Sequence, residues 1–354
     1  MTNRSDWLHT PLMSPGKHAS ARALRFKALC LSRAALSILL FVLAEAPAAR
    51  PQTPLAASIK EKFDLGEYQE AASLLQAALA KEPQNSSLAF WLMRSDYELD
   101  RFEEAITYGE RAVAALPSNS EYHLWLGRAY GRKAEKQRSF NFARKTREEF
   151  EKAVDLDPNN LAARRDLMEF YLQAPWILGG GKDKAKGQAE AIAARDPLEG
   201  SLAFGSYWQS LGKADSAEAE YVKVLELKPG RIEPYFEVAD FYQSRQDAGR
   251  LGAVIEAAAR INTQDSRLPY YQGVVRILAR KNLAEAEQDL QTYLAAHPPR
   301  HDSPSQASTH VWLGRLYEEQ AKKPLAASQY KAALQLDPGR REALEGLSRT
   351  RATP

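Results

Sequence analysis

The chain of 354 residues is 44% apolar and 26% charged, a composition typical of soluble globular proteins and unlike that of disordered, collagenous or multi-span membrane chains. Its 48 Lys and Arg residues nearly balance 45 Asp and Glu residues, which argues against nucleic-acid binding driven by overall charge. The single cysteine, Cys30, excludes an internal disulfide framework and a zinc site built from cysteines.

The first 48 residues differ from the rest of the chain. Arg22–Arg33 carries four positive charges and no negative one, and the apolar run Ala34–Ala44 follows it. That run has 11 residues, fewer than the roughly 20 that a membrane-spanning helix needs. A basic segment, a short apolar run and small residues such as Ala46-Pro47-Ala48 are typical of a secretory signal. We therefore expect residues 1–48 to be a signal peptide or an uncleaved membrane-targeting segment.

Removal of this segment would change the charge and the thiol content of the protein. Residues 1–48 carry a net charge of +4, so the formal charge would fall from +3 to −1, and Cys30 would be lost. A chain without thiols suits an oxidising compartment. We expect an exported protein that is periplasmic, secreted or associated with a membrane.

Beyond residue 51 the apolar residues recur at spacings of three and four, which indicates amphipathic helices. Similar phrases end in proline, and the first two, at Pro83 and Pro117, are 34 residues apart. They read AALAKEP, AVAALP, AVDLDP, VLELKP and AALQLDP. A second phrase, Leu-Gly-Arg-x-Tyr, occurs at 126–130 and again at 313–317.

These phrases resemble the tetratricopeptide repeat, whose pattern is W-x2-L-G-x2-Y followed by an alanine, an aromatic residue and a closing proline. The resemblance implies an all-α fold, a right-handed superhelical solenoid of about eight helix hairpins in residues 49–339, with a capping helix and tail in 340–354. The units would begin near residues 52, 86, 120, 161, 198, 232, 266 and 307. The phrases GRKAEK and APWILGGGKDKA also resemble those of a group of exported bacterial tetratricopeptide proteins.

Small residues recur where two helices of a hairpin would approach closely. We expect the small residues of the first helices to meet alanines of the second helices. The first set is Gly127, Gly205, Ala239 and Gly314, and the second is Ala71, Ala105, Ala217 and Ala326.

Two units are longer than the pattern requires. The third has about seven extra residues between Tyr130 and Phe150, and the fourth has about five within Ala174–Ala185. Insertions in solenoids emerge on one edge and often serve binding. The segment Gly179–Lys182 within the second insertion lacks the upstream glycine and the Ser or Thr of a phosphate loop. We expect a tight turn there, with Asp183 in the first turn of the next helix.

No enzyme, metal site or cofactor is expected. A nucleophile and base arrangement is absent from the sequence. His297, His301, Asp302 and His310 surround a Pro-rich connector, but no spacing fixes them around an ion.

The resemblance implies a protein or peptide partner bound in a groove lined by the fifth, ninth, twelfth and thirteenth positions of the first helices. These positions are Phe90, Arg94, Tyr97, Leu124, Arg128, Arg132, Arg165, Glu169, Phe236, Asp240, Gln243, Val311 and Arg315. The subfamily that clamps the terminal carboxylate of chaperones has Lys at the fifth position and Asn at the ninth. This chain has Phe90 and Arg94 there, which disfavours that partner class.

Residues 128–147 hold eight Lys or Arg residues against Glu135 alone. An ordinary solvated helix edge explains this basic edge, and docking on anionic lipid or glycan is the functional alternative. Nucleic acid is not expected for an exported chain. Besides Arg128 and Arg132, the basic edge comprises Lys133, Lys136, Arg138, Arg144, Lys145 and Arg147.

Overall fold

The computed structural model describes residues 57–296 and 303–351. The predicted signal segment and His297, His301 and Asp302 lie outside these ranges. The described residues form no strand; they form one 3₁₀ turn, Trp176–Leu178, and 17 α-helices. The helices are α1 (Ala57–Asp64), α2 (Tyr68–Lys81), α3 (Ser86–Glu98), α4 (Phe102–Ala115), α5 (Ser120–Gln137), α6 (Phe140–Leu156), α7 (Leu161–Gln173), α8 (Lys182–Ala193), α9 (Pro197–Ser210), α10 (Ala214–Glu226), α11 (Glu233–Ser244), α12 (Ala248–Ile261), α13 (Leu268–Ala279), α14 (Leu283–Ala295), α15 (Gln306–Glu319), α16 (Lys323–Leu336) and α17 (Arg341–Arg351).

Consecutive helices pack as hairpins, from α1–α2 to α15–α16, and α17 packs against the last hairpin. The fold is an all-α solenoid. The first helices of the eight described hairpins begin at residues 57, 86, 120, 161, 197, 233, 268 and 306. First helices of successive hairpins also touch one another, as α3 does with α5, α5 with α7 and α7 with α9. The handedness of the superhelix stays a prediction. No described helix combines the length and the apolar character needed to cross a bilayer.

The closing phrase ends one helix and starts the next. Proline cannot donate a backbone hydrogen bond, and α2, α4 and α6 each end two residues before one. Asn85, Asn119 and Asn160 lie two residues after these prolines and cap the next helix. Their side-chain oxygens accept hydrogen bonds from backbone N–H groups at distances of 3.0 to 3.2 Å. The Pro-x-Asn phrase therefore sets the boundaries between the first four units.

The nearest neighbours of Gly127, Gly205 and Gly314 are aromatic rings of the second helices, not the alanines that the sequence predicts. A Cβ added at Gly127 would lie 2.6 Å from the ring of Phe150 on the second helix of the same hairpin. The ring of Tyr330 would lie 2.5 Å from a Cβ added at Gly314. The correction has a simple reason: the ring is the bulkiest group of the second helix, so the gap left by glycine is where it fits. The predicted alanines are fully buried, but they are not among the nearest neighbours of these glycines.

A tyrosine near the end of several first helices ties neighbouring units together. The hydroxyl of Tyr171 donates to Glu151 on α6 at 2.9 Å, and that of Tyr317 donates to Glu287 on α14 at 2.7 Å. Tyr130 donates in the same way to Glu110 on α4. Burial together with the carboxylate raises the pKa of Tyr317 to about 12. These bonds repeat between units and fix how one hairpin sits on the preceding one.

Candidate functional site

The third hairpin, α5–α6, is longer than its neighbours. Its helices have 18 and 17 residues, whereas α3 and α4 have 13 and 14. The extra residues of the third unit therefore lengthen both helices instead of forming a loop. Arg138 and Ser139 make the short connection between them. The hairpin consequently extends beyond the core of the repeat at the end where α5 meets α6.

The second insertion is a compact turn that packs on this hairpin. The guanidinium of Arg147 on α6 donates to the carbonyl oxygen of Leu178 at 2.9 Å. Gly179 has φ of 93°, and a Cβ at Gly180 would lie 1.8 Å from the carbonyl oxygen of Ala174. Asp183 lies in the first turn of α8. The glycines thus serve a tight turn held against α6.

A cleft of about 860 Å³ opens between the first helices α3, α5 and α7. The end of α5, the start of α6 and the turn after α7 form one side of it. The predicted groove residues that line it are Arg94, Tyr97, Arg128, Arg132 and Glu169. Its other lining residues include Trp125, Arg138, Phe140, Asp166, Phe170 and Leu178. Both insertions therefore contribute to the same cleft.

Arg94 lies in this cleft within a cage of aromatic rings. Its Cζ atom is 4.4 Å from the ring centroid of Trp125, 4.7 Å from that of Trp91 and 4.8 Å from that of Phe63. Its Nε atom is buried and makes no hydrogen bond within the described residues, where no carboxylate pairs with it. Burial lowers the pKa of the guanidinium, but arginine stays protonated at physiological pH. Arg94 is a caged cation that can still form hydrogen bonds.

Arg128, one unit further along, contacts the same tryptophan but is already paired. Its Cζ atom is 4.6 Å from the ring centroid of Trp125. Its Nε atom donates to Asp166 at 2.5 Å and its Nη2 atom to the other carboxylate oxygen at 3.4 Å. The indole N–H of Trp125 donates to Glu121 at 2.8 Å. The tryptophan is therefore held in place by bonds within the chain.

Arg165 forms ion pairs with carboxylates of the first helices. It pairs with Glu237 on α11, and also with Glu199 at 3.8 Å and Glu169 at 4.0 Å. Burial raises the pKa of both Glu169 and Glu237, and the positive charge of Arg165 opposes that rise. Arg165 links α7 to α9 and α11 and is not available to a partner in this arrangement.

Four of the predicted groove residues pack in the core. Phe90 stacks on Tyr122 with ring centroids 4.7 Å apart, and Phe236 stacks on a tyrosine of α13 at 5.0 Å. Leu124 is 1% exposed and Val311 is 3% exposed. The next first helix covers Phe90 and Phe236, and all four buried side chains support the groove wall without presenting a surface. Tyr97 is also mostly buried, but it does line the cleft.

The remaining groove residues, in the C-terminal half, do not line the cleft. The hydroxyl of Tyr271 donates to Asp240 at 2.8 Å, and Gln243 donates to Tyr270 at 3.2 Å. Asp240 is open to solvent on one side, but protein atoms crowd its carboxylate, and this desolvation raises its pKa to about 6 against the opposing effect of Tyr271. Arg315 stacks on Trp312 at 4.5 Å.

The basic edge is largely neutralised by acids of the same chain. The sequence predicts that Lys133 lies on the surface as part of the basic edge. This prediction is wrong, because Lys133 is buried and pairs with Glu103. The other pairs are Arg128 with Asp166, Arg132 with Asp100, Arg144 with Glu148, Lys145 with Glu110 and Arg147 with Glu151. Among the described residues no carboxylate pairs with Lys136 or Arg138.

Of the three histidines and the aspartate around the Pro-rich connector, the structure describes only His310. Its Nδ1 atom is 2.7 Å from the side-chain oxygen of Gln329. No three potential metal ligands come together within residues 57–296 and 303–351.

The sequence holds a signal for the tryptophans that stack on the first-helix arginines, which the repeat positions miss. A tryptophan precedes an arginine by three residues on α3, α5 and α15, in the pairs Trp91 and Arg94, Trp125 and Arg128, and Trp312 and Arg315. Residues three apart lie on the same face of a helix, and each pair stacks at 4.5 to 4.7 Å. The recurring W-x-x-R phrase identifies Trp91, Trp125 and Trp312 as the rings on which the first-helix arginines stack.

Comparison with known proteins agrees with this architecture. Models of the tetratricopeptide repeat match residues 62–129 and 278–341. No curated protein matches the sequence. Yeast Tom70 is similar in structure, with a TM-score of 0.55 and 16% identity over 80% of this chain and 58% of Tom70. The Cut9–Hcn1 structure of the APC/C gives a TM-score of 0.51 and 16% identity over 80% of this chain and 52% of that chain.

A tetratricopeptide repeat protein from Parabacteroides merdae shares 16% identity, with a TM-score of 0.48, over 75% of this chain and 98% of its own length. This chain spans little more than half the length of the Tom70 and Cut9–Hcn1 chains. Identities at this level speak for the fold alone. The repeat matches and the helix hairpins agree: the chain contains tetratricopeptide repeats, matched over residues 62–129 and 278–341, within an all-α solenoid.

Proposed function

We propose that this protein is a non-enzymatic scaffold that binds an extended segment of a partner protein in the cleft between α3, α5 and α7. Tetratricopeptide repeats commonly mediate protein–protein interactions and are generally not enzymes. The cleft supplies a concave surface with aromatic and arginine side chains, the residue types enriched in binding hot spots.

The observation that carries the proposal is that the Nε atom of Arg94 is buried and has no hydrogen-bond partner among the described residues. A buried polar atom without a hydrogen-bond partner costs stability, so such an atom in a folded protein calls for a structural or functional explanation. The buried Nε atom of Arg94 is in this state while the neighbouring Arg128 is fully paired. A partner that brings a carboxylate or a backbone carbonyl to Arg94 would satisfy the guanidinium. It would also cover the rings that cage it.

The shape of the cleft favours a chain segment over a small metabolite. Its volume of about 860 Å³ lies toward the upper end of the usual range for small-molecule sites, and its walls come from three successive hairpins. Its lining combines arginines with Tyr97, Trp125 and Phe140. An extended peptide with an acidic residue flanked by apolar residues matches this combination.

We place this activity in the bacterial cell envelope as part of the same proposal. The support is the basic and apolar character of residues 22–44, which is typical of an export signal. N-terminal sequencing of the protein from its envelope fraction tests this part, and a mature chain that begins at Ala49 is the expected result. A chain recovered only from the cytoplasmic fraction would contradict it.

The alternative is docking of the basic edge 128–147 on anionic lipid or glycan. Little unpaired positive charge remains on that edge to attract such a surface. Six of the eight cations there pair with carboxylates of the chain. The two that do not, Lys136 and Arg138, lie at the end of the lengthened hairpin.

A display selection of random twelve-residue peptides on the full chain tests the cleft. We expect the selected peptides to share an acidic residue next to an apolar one. Arg94→Gln should weaken the best peptide at least tenfold by fluorescence polarisation, because a charge-assisted hydrogen bond contributes about 1.5 to 3 kcal/mol. Arg315→Gln is the matched control, since Arg315 stacks on Trp312 in the same way but lies outside the cleft.

The control variant should bind within twofold of the parent chain. Equal loss in the two variants, or selected peptides without acidic residues, would count against the proposed role of Arg94.

A further inference from the structure

The three most exposed large apolar side chains of the described residues lie on the two insertions. Trp176 is 85% exposed, Phe140 is 70% exposed and Ile177 is 68% exposed. The next most exposed large apolar side chain in the described ranges is Leu336 at 52%. We call Phe140, Trp176 and Ile177 the apolar tip. Exposed large apolar groups on two elements that contact each other, as α6 and the 3₁₀ turn do, mark interaction sites in soluble proteins.

The residues of the apolar tip are held in place by contacts between α6 and the 3₁₀ turn. Phe140 is the first residue of α6, and the 3₁₀ turn that carries Trp176 and Ile177 contacts the same helix. Arg147 on α6 bonds to the carbonyl oxygen of Leu178, and the close approach at Gly180 leaves no room for a side chain. The turn therefore holds its two apolar residues outward, away from the core. Trp176 and Ile177 do not line the peptide cleft.

Exposed cations without a carboxylate partner accompany the tip. Within the described part of the chain, Lys136, Arg138 and Lys182 are exposed and form no ion pair. The nearby exposed acids are Glu135, which is 3.7 Å from Arg132, and Asp183. The net charge that remains unpaired around the tip is positive, with three cations against the single carboxylate of Asp183.

We propose that the apolar tip docks on an anionic bilayer, with its three apolar side chains in the interfacial region and Lys136, Arg138 and Lys182 near the lipid phosphates. Tryptophan is the side chain most suited to the boundary between headgroups and acyl chains. Unpaired Lys and Arg residues near the surface of an anionic membrane add to its attraction. The lengthened hairpin projects about one helical turn, roughly 6 Å, beyond a regular unit, so its end can reach a flat surface.

This docking does not use the caged Arg94 of the peptide cleft, although Phe140 and Arg138 lie at the rim shared by the two surfaces. It also differs from binding through the whole basic edge, because most of that edge is paired within the chain. The tip leaves Arg94 and Trp125 uncovered, so a membrane-docked protein could still hold a partner segment.

Flotation of the full chain with vesicles tests the proposal. The vesicles contain equal parts of phosphatidylglycerol and phosphatidylcholine, or phosphatidylcholine alone. The double variant Trp176→Ser, Ile177→Ser should bind the anionic vesicles at least tenfold more weakly than the parent chain. The variant Lys136→Glu, Arg138→Glu, Lys182→Glu should lose most of its preference for anionic vesicles. Leu227→Ser with Leu336→Ser, which removes two other exposed leucines, should stay within twofold.

The residues before 57 are present in every variant, so any membrane affinity of that segment cancels in the comparison. Brominated lipids provide the second readout. They should quench the tryptophan fluorescence of the parent chain more strongly than that of Trp176→Phe, a variant that keeps an apolar side chain and should still float. Arg94→Gln should float like the parent chain, which separates this proposal from the cleft.

Equal flotation of the tip variant and the parent chain would overturn the proposal. Equal quenching of the parent chain and Trp176→Phe would do the same. A tip variant that floats normally but loses a dimer by light scattering would assign the tip to contact between two copies, and so would also overturn membrane docking.

Discussion

The lengthened hairpin α5–α6 and the regular hairpin α15–α16 share one core and differ at one end. In both, a glycine of the first helix receives an aromatic ring of the second, Gly127 with Phe150 and Gly314 with Tyr330. Both also carry the Leu-Gly-Arg-x-Tyr phrase. The first helix of the lengthened hairpin has 18 residues, and that of the regular hairpin has 14. The repeat pattern fixes the core, and the residues beyond the pattern build the surface.

The arginines of these two hairpins show why the extra length matters. Arg128 and Arg315 occupy the same place in the phrase and stack on tryptophans at 4.6 and 4.5 Å. Arg128 nevertheless lies in a cleft, because Phe140 and Leu178 from the two insertions help to wall it. Arg315 does not line that cleft. A binding site therefore needs the common phrase and the added wall together.

The largest expected effect tests the shared core. Gly127→Ala should lower the free energy of unfolding by about 1 to 3 kcal/mol, because the added methyl group would overlap the ring of Phe150. Gly314→Ala should cost at least as much, since Tyr330 is also in close contact with Gly346 on α17 and has less room to move. Urea denaturation followed by circular dichroism measures both.

Gly187→Ala is the control for these substitutions. It changes a glycine within α8 that has no neighbour within 4 Å, so it should be neutral or stabilise by up to about 1 kcal/mol. Loss of stability in all three variants would mean that helix propensity, and not packing against the ring, determines the result.

Most of the fold could be predicted from the sequence because the core repeats. The Pro-x-Asn boundaries, the Leu-Gly-Arg-x-Tyr phrase and the aromatic of the second helix recur at fixed positions and indicate hairpins directly. The partner of Gly127 could not be predicted with the same ease. Spacing shows that a small residue faces the neighbouring helix, but whether an alanine or the ring of Phe150 fills the gap depends on how α5 and α6 are displaced along their axes.

The site was less predictable than the core. The repeat positions find Arg94 and Tyr97, but they also select Phe90, which the next hairpin covers. The sequence could not show that Lys133 is buried against Glu103, because that pairing depends on contact between two units. Insertions have no repeat position, so the pattern could not place Trp176.

A smaller effect concerns the regular hairpin α3–α4 beside the cleft. Asp96 is 1% exposed, its carboxylate accepts no hydrogen bond within the described residues, and Arg101 is 3.7 Å away. Burial raises the pKa of Asp96 to about 6 from 3.8, and the charge of Arg101 opposes this rise. The folded chain then binds the proton more tightly than the unfolded chain. The free energy of unfolding should therefore fall as the pH rises from about 4 to about 6 and change little above that range.

Asp96→Asn removes this loss, because the amide does not ionise. At pH 8 the variant should be more stable than the parent chain by on the order of 1 to 2 kcal/mol, and the gap should close near pH 4. Chemical denaturation at the two pH values measures it. Asp64→Asn, at an exposed aspartate, should change the stability by less than about 0.5 kcal/mol at pH 8. A gap for Asp96→Asn that is the same at both pH values would contradict the buried-carboxylate explanation.

The smallest effect on global stability tests the wall of the cleft. Arg147→Met keeps the aliphatic contact with Gly179 but removes the hydrogen bond to Leu178, so it should cost at most about 1 kcal/mol. Locally the change should be larger, with faster hydrogen exchange at Gly180 and Gly181, whose amides bond to Pro175 and Tyr171.

Arg144→Met, at an exposed arginine 4.0 Å from Glu148, should leave that exchange unchanged. Because the turn helps to wall the cleft, Arg147→Met should also weaken a selected peptide by a few fold although Arg147 does not line the cleft. Faster exchange with full peptide affinity would separate the turn from the site. The cleft would then depend on the lengthened hairpin alone.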